Sequence, residues 1–329
     1  MDVCRVLSAS HAPYSLQPIT GYACPLMTIA GIPSRNAAHT KRILLLGASG
    51  MLGHMLARIL APHHIVIGTT LSKYNDRSHL GRILGKEDWI DQVDVRSLPT
   101  VKKPIHETNP DVVINCVGLI KQKMNSGNNT DAIHINSLFP HQLAQICADT
   151  NSRLIHFSTD CVFDGTQGIK LVTDTPNATD LYGLSKLLGE VDDGTSVTLR
   201  TSVVGRQLYG AESLFEWARS QRGNQITGFT NAIYSGLTTM ALSRIIKNVI
   251  EDHPNLVGIH QVASSPISKF ELISKLNRLL ELGLIINPNI DFHCDRTLDG
   301  TQFTKSTNIA IPSWDDMLAE FAADQSFYN

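Results

Sequence analysis

The sequence predicts an α/β fold: a doubly wound parallel sheet of the Rossmann kind with a smaller lobe toward the C-terminus. Three observations predict it. In Arg42 to Gly53, Arg-Ile-Leu-Leu-Leu-Gly-Ala-Ser-Gly-Met-Leu-Gly, an apolar run too short for a helix meets a glycine-rich turn, and a helical pattern follows from Met51 to Leu60. From Arg42 onward, short apolar runs alternate with helical patterns, as parallel strands do with their crossover helices. A predicted fifth strand then ends in Ser158-Thr159-Asp160, polar groups at the carboxyl end of a strand, where such sheets bind ligands.

A chain of 329 residues has ample material for one large domain or two modest ones. With 42% apolar and 18% charged residues and a formal net charge of -2, it has neither the basic block of a nucleic-acid binder nor the charge of a general polyanion binder. Its six cysteines, Cys4, Cys24, Cys116, Cys147, Cys161 and Cys294, contain no Cys-x-x-Cys pair, a pattern expected of a reduced, cytoplasmic protein. The thirteen histidines show no metal-ligand spacing, so no metal is expected.

Residues 1–40 keep no period and read as an irregular extension, without the positive n-region and unbroken apolar h-region of a signal peptide; Met27 is an alternative start. No later apolar run reaches the roughly 18 residues of a membrane span. Residues 41–205 are expected to form the nucleotide-binding domain and 206–329 most of a substrate-binding lobe interleaved with it.

In the glycine turn, Gly47, Gly50 and Gly53 allow a tight bend and a close approach of backbone to a pyrophosphate. Ser49, Met51 and Leu52 lie where the N–H groups opening the helix would face that anion. An ordinary strand-to-helix turn is the plainer alternative. The second strand, His64 to Thr69, ends without the Asp or Glu expected about twenty residues beyond such a turn in an NAD-selective site. Thr69 and then Lys73 occupy that neighbourhood, which favours NADP(H) over NAD(H), with a solvated Lys73 and either cofactor as the alternative. A third strand runs to Val93, followed by Asp94 and Val95, where Asp94 meets an adenine or caps a turn.

The fourth strand, Val112 to Cys116, continues into Val117 and Gly118, which would pass beneath a cofactor. A polar loop follows, and then a helical pattern from Asp131 to Ala148 interrupted by Pro140, with Asn136 its inward polar residue. The fifth strand is Leu154 to Phe157. Beyond it, Asp180 can cap a helix whose Tyr182 and Lys186, at i and i+4, share one face. A surface pair is the default reading of that spacing; its position downstream of the glycine turn and Thr159 makes it the strongest clue in the chain.

After a sixth strand, Leu199-Arg200-Thr201-Ser202, come a helix over Ser213 to Arg222 and a polar, aromatic stretch from Gly228 to Gly236. Asn231 and Tyr234 there are candidates for a sugar contact or for a buried tether. Helices over Thr239 to Ile250 and Lys269 to Leu282, with a short strand at Val257 to Val262 between them, are assigned to the smaller lobe. Arg296 is a candidate partner for phosphates, or one end of a surface salt bridge.

From Lys41 to about Asn308 the chain resembles extended short-chain dehydrogenase/reductases, and within them the dTDP-4-dehydrorhamnose reductases and related nucleotide-sugar reductases. The residues that carry this are the turn Gly47 to Gly53, Ser158-Thr159-Asp160-x-Val162-Phe163-Asp164-Gly165, Tyr182-x-x-x-Lys186, and Leu199-Arg200-Thr201-Ser202. The resemblance implies a catalytic triad of Thr159, Tyr182 and Lys186, with Lys186 and Tyr182 also at the nicotinamide ribose, and a role in cell-surface polysaccharide precursor synthesis such as that of lipopolysaccharide. Cys161 stands where many relatives have tyrosine, and Val203 where the rhamnose enzymes often have tryptophan, so the sugar is open.

On this reading Tyr182 gives a proton to the ketone oxygen, its phenol acidified by the Lys186 ammonium, while Thr159 bonds the same oxygen and Asp160 contacts the sugar or braces the loop. The expected partners are a nucleotide sugar and, as one possibility, a second copy of the chain, with no nucleic acid and no membrane. Two other readings stand beside it. One is a regulatory subunit similar to that of methionine adenosyltransferase, which an intact Thr159, Tyr182 and Lys186 disfavours; the other is a nucleotide-sugar epimerase.

Overall fold

The computed structural model describes residues 40–74, 79–121, 124 and 129–328; the expected extension over 1–40 lies outside them save for its last residue. The elements, in order, are β1 (Arg42–Leu46), α1 (Met51–Leu60), β2 (Ile65–Thr69), β3 (Trp89–Ile90), α2 (Leu98–Thr108), β4 (Val112–Asn115), α3 (Asn129–Ala132) and α4 (Phe139–Asp149). Next come β5 (Arg153–Phe157), α5 (Leu181–Leu188), β6 (Val197–Arg200), β7 (Val203–Val204), α6 (Leu214–Ser220), β8 (Gln225–Tyr234), β9 (Leu237–Thr238) and α7 (Thr239–Asp252). The chain closes with β10 (Gly258–Gln261), β11 (Ile267–Ser268), α8 (Lys269–Leu279), β12 (Ile285–Arg296), α9 (Thr301–Thr307) and α10 (Trp314–Ala323).

Seven parallel strands form the central sheet in the order β10-β6-β5-β4-β1-β2-β3. The strand order reverses at β1, between β2 and β4, the switch point at whose carboxyl ends sheets of this kind bind ligands. Residues of β1 alternate between two cores: Ile43 and Leu45 pack with Leu56 and Leu60 of α1 and Ile246 and Val249 of α7, whereas Leu44 and Leu46 pack with Ile105 of α2 and Phe139 and Leu143 of α4. These four β1 side chains are fully buried, which is why the run reads as continuously apolar. Burial of each is worth roughly 1.5–3 kcal/mol.

Several expected boundaries move. The third strand shrinks to Trp89–Ile90, with Val93 held beyond it by a backbone bond to the Thr70 carbonyl. The helix predicted over Asp131 to Ala148 exists, but Ile133–Leu138 forms a π-helical segment between α3 and α4, so that Pro140 falls in the first turn of α4 directly after it. Gly228 to Gly236 is mostly strand: β8 is the middle of a three-stranded sheet, β11-β8-β12, parallel to β12 and antiparallel to β11. The expected lobe strand, here β10, instead becomes the edge of the central sheet beside β6, and α7 joins the helical layer against α1. No helix among the described residues is long and apolar enough to cross a membrane.

Candidate active site

The site is built from three pieces at the carboxyl ends of the parallel strands. The first is the glycine turn. Gly47 adopts φ +75°, a conformation that a side chain disfavours. A Cβ at Gly53 would stand 2.8 Å from the Ala48 Cα and would meet the Gly47 carbonyl oxygen, so α1 sits closer to the turn than any other residue permits. Gly50 caps α1 without a side-chain bond, which leaves the N–H groups of Met51 and Leu52 to an outside acceptor. Thr69 braces the turn from behind, its Oγ1 accepting from Gly47 N at 3.3 Å. This cradle fits the pyrophosphate of a dinucleotide.

The second piece is the end of β5. Thr159 Oγ1 accepts from Cys161 N at 3.1 Å and donates to Asp160 Oδ1 at 3.0 Å, with both residues buried. The third is α5, started by Asp180, whose Oδ1 accepts from Gly183 N at 3.1 Å. A Cβ at Gly183 would run into the Cys161 carbonyl oxygen and come within 2.7 Å of the Ala178 Cβ, so glycine lets the helix lie directly on the 158–165 segment. That contact brings the Tyr182 hydroxyl close to the Thr159 side chain, which acts on it electrostatically. One turn on, Lys186 Nζ donates to the Phe157 carbonyl at 2.6 Å.

The charges differ from the sequence expectation in one respect. Burial pushes the Tyr182 phenol well above its ordinary value, and Cys161, Asp160 and Asp180 add to the effect; Lys186 is not among the largest influences on it. The Lys186 ammonium is engaged by Phe157, and burial lowers it to about 8, with Glu190 and Cys116 pulling the other way. Tyr182 therefore holds its proton at neutral pH rather than being a lysine-stabilised phenolate. Burial also raises Asp160, opposed by Arg296 and by its bond from Thr159.

Residues 41–272 match the family described as the RmlD substrate binding domain. The chain belongs to the RmlD family. It is 34% identical over 150 residues to a probable low-salt glycan biosynthesis reductase of Haloferax volcanii, covering 44% of this chain and 46% of the relative. It is 30% identical over 168 residues to a dTDP-4-dehydrorhamnose reductase of Burkholderia thailandensis, covering 50% of each. The chain spans about half the length of these curated relatives. Among solved structures it superposes on a hypothetical dTDP-4-dehydrorhamnose reductase from Sulfolobus tokodaii with TM-score 0.67 and 26% identity, over 82% of this chain and 96% of that one. For the Bacillus anthracis dTDP-4-dehydrorhamnose reductase in complex with NADP the TM-score is 0.71 at 20% identity, over 87% and 99%, a likeness of fold.

The remaining candidates of this RmlD-family chain divide into two groups. Arg296 and Tyr234, paired in register on β12 and β8, come to the same end as Thr159, Asp160 and Tyr182. Arg296 donates to the Phe163 carbonyl at 3.2 Å and to Cys161 Sγ at 3.3 Å, so it lies at the site rather than in a surface salt bridge. Tyr234 is buried against Trp314, with its hydroxyl near Asp160. Asn231 is spent as a tether, donating to the Ile290 carbonyl at 2.9 Å and bonding His293 Nε2 at 3.1 Å.

On the cofactor side, Asn136 is fully buried and its amide binds both backbone groups of Leu119 and the Ser185 hydroxyl, so it supports the floor instead of facing a ligand. Asp94 takes the turn-capping alternative: it accepts from Arg96 N at 3.0 Å and pairs with the Arg96 guanidinium, whose bonds hold its carboxyl below the usual range. Val95 beside it is buried and Lys73 is exposed. Close packing under the turn comes from Val117, whose Cγ2 would stand 2.9 Å from a Cβ on Gly47, and not from Gly118, where a Cβ would be in ordinary contact. Cys116 follows β4 directly, its thiol pushed up by burial. Sequence reasoning missed Glu190, although its spacing, one further step of four beyond Tyr182 and Lys186, was there to be read.

Proposed function

We propose that this RmlD-family chain is an NADP(H)-dependent reductase of a nucleotide-activated 4-keto-6-deoxy sugar, feeding a cell-surface polysaccharide precursor. The observation that carries the reading is the packing of α5 on the 158–165 segment, which sets Tyr182 beside Thr159 at the carboxyl end of β5, with Lys186 one turn away and the glycine cradle at the switch point. The names of the relatives, reductases of nucleotide sugars, support the same class.

A bound nicotinamide supplies the hydride. As it arrives at a ketone carbon, negative charge gathers on the oxygen, and a donor must stand ready. Tyr182, kept protonated by burial, gives its proton to that oxygen. Thr159 turns its hydroxyl from Asp160 to the same oxygen, and the buried Lys186 ammonium holds positive charge below the phenol as it loses its proton. Arg296 is suited to an anionic group of the substrate, since it presents a guanidinium beside Asp160 without a carboxylate ion pair of its own among the described residues. NADP(H) is preferred to NAD(H) because Thr69, Thr70 and Leu71 offer no carboxylate at the end of β2 and Lys73 lies exposed just beyond.

The test is to mix the purified protein with NADPH or NADH and a panel of 4-keto nucleotide sugars and to follow the reduced nicotinamide. Oxidation of NADPH with one sugar is the expected result. Cofactor binding without oxidation across the panel would contradict it and favour a regulatory or epimerase role.

A further inference from the structure

Phe157, the last residue of β5, and the two residues after it are each held by one residue from α5 or its exit. The Phe157 carbonyl accepts from Lys186 Nζ at 2.6 Å, Ser158 Oγ donates to Glu190 Oε1 at 2.6 Å, and the Thr159 side chain meets the Tyr182 hydroxyl. Tyr182, Lys186 and Glu190 stand four residues apart, so one helical face supplies all three. Glu190 lies just past the regular helix, where Gly189 N bonds the Lys186 carbonyl at 3.2 Å and Glu190 N the Leu187 carbonyl at 3.1 Å. This tightened turn keeps the glutamate under the strand.

Glu190 is also tied to the neighbouring strand. Its Oε1 and Oε2 accept from Arg200 Nε and Nη2, both at 2.8 Å, and both side chains are 5% exposed. A buried two-point pair of this kind is poor evidence for net stability, because the desolvation of both charges offsets most of the attraction. What it provides is a fixed carboxylate whose Oε1 also takes the Ser158 hydroxyl, next to Thr159. The groups facing Lys186 are Glu190 beyond its own helix, Cys116 at the end of β4, and His156 on β5 beside Phe157. Of these, Glu190 is the carboxylate; burial keeps the Cys116 thiol and the His156 imidazole neutral near neutral pH.

We propose that Glu190, locked by Arg200, is a positioning residue of the site: through Ser158 it fixes the strand end that carries Thr159. The proposal rests on the reductase reading for its consequence in turnover, but its structural half concerns the free protein alone.

The experiment compares wild type with Ser158→Ala and with Glu190→Gln/Arg200→Gln, which leaves no unpaired buried charge. In the free proteins, amide hydrogen exchange of Ser158 and Thr159 should speed about tenfold in both variants while that of β1 and β4 stays as in the wild type. Turnover should fall about tenfold in both with KM little changed. Wild-type exchange at Ser158 and Thr159 in the folded variants, or wild-type turnover in them, overturns the proposal. An inactive wild-type protein with the expected exchange would instead count against the reductase reading.

Discussion

Tyr328 donates its hydroxyl to His54 Nε2 across 2.7 Å, and the other ring nitrogen, Nδ1, donates to the Gly50 carbonyl at 2.8 Å. Because a carbonyl only accepts, Nδ1 carries the proton and Nε2 is the acceptor. A neutral histidine thus connects the C-terminal turn to the glycine bend. The same turn is fastened by Asp324, which pairs with Arg58, and by Phe327, whose ring lies 3.8 Å from the Arg58 guanidinium.

Acid should undo this link. Burial lowers His54 to about 4 from an ordinary 6.5. Between these values the unfolded chain binds the proton more readily than the folded one. Stability therefore falls as pH drops from 6.5 through 4, by on the order of 3 kcal/mol in all. Urea unfolding as a function of pH should show the slope in the wild type and a flatter curve in His54→Gln.

Gly53→Ala should remove dinucleotide binding before it removes the fold. Its Cβ would press on the backbone of Ala48 and on the Gly47 carbonyl, which cannot yield without moving the turn. A loss of about 2 kcal/mol of stability, and of roughly a hundredfold in NADPH affinity by fluorescence titration, is expected.

Lys186→Met should give a more stable, inactive protein. The folded-state value of Lys186, about 8, lies below the ordinary 10.5, so the buried ammonium opposes folding at neutral pH, and stability rises as pH climbs from 8 to 10.5. Removing the charge should add about 1–2 kcal/mol at pH 7, after the lost bond to Phe157 is allowed for, and abolish that rise. Denaturant midpoints at the two ends of the range decide it.

Arg296→Gln should weaken substrate binding more than chemistry. Arg296 lies beside Cys161 and near Asp160, yet bonds neither Tyr182 nor Thr159. KM for the nucleotide sugar should rise roughly ten- to a hundredfold, with kcat changed much less.

What was legible in the chain and what was not have different physical causes. The glycine turn, the apolar strands β1, β2, β4, β5 and β6 of the central sheet and the Tyr182, Lys186 helix could be read because each is a local pattern: burial on both faces, a fixed glycine spacing, a shared helical face. β12 could not. It is an edge strand with both faces partly exposed, broken by a register shift between Asn289 and His293 and carrying Pro288, so neither alternation nor propensity marks it. Glycines and polar residues likewise hid β8, which is specified by its partners on either side. β10 was recognised as a strand, but its place beside β6 is a long-range pairing without a local trace. The direction of the Tyr182 shift was missed because proximity in sequence suggested Lys186 as its neighbour in charge, whereas burial outweighs it in the folded chain.

The most direct measurement of the central claim is a single-turnover comparison of wild type and Tyr182→Phe, with NADPH bound and the 4-keto nucleotide sugar added. Loss of reduced-nicotinamide absorbance should slow at least about a thousandfold in the variant while NADPH affinity changes less than about threefold. Equal rates in the two proteins would contradict the assignment of Tyr182 as the proton donor.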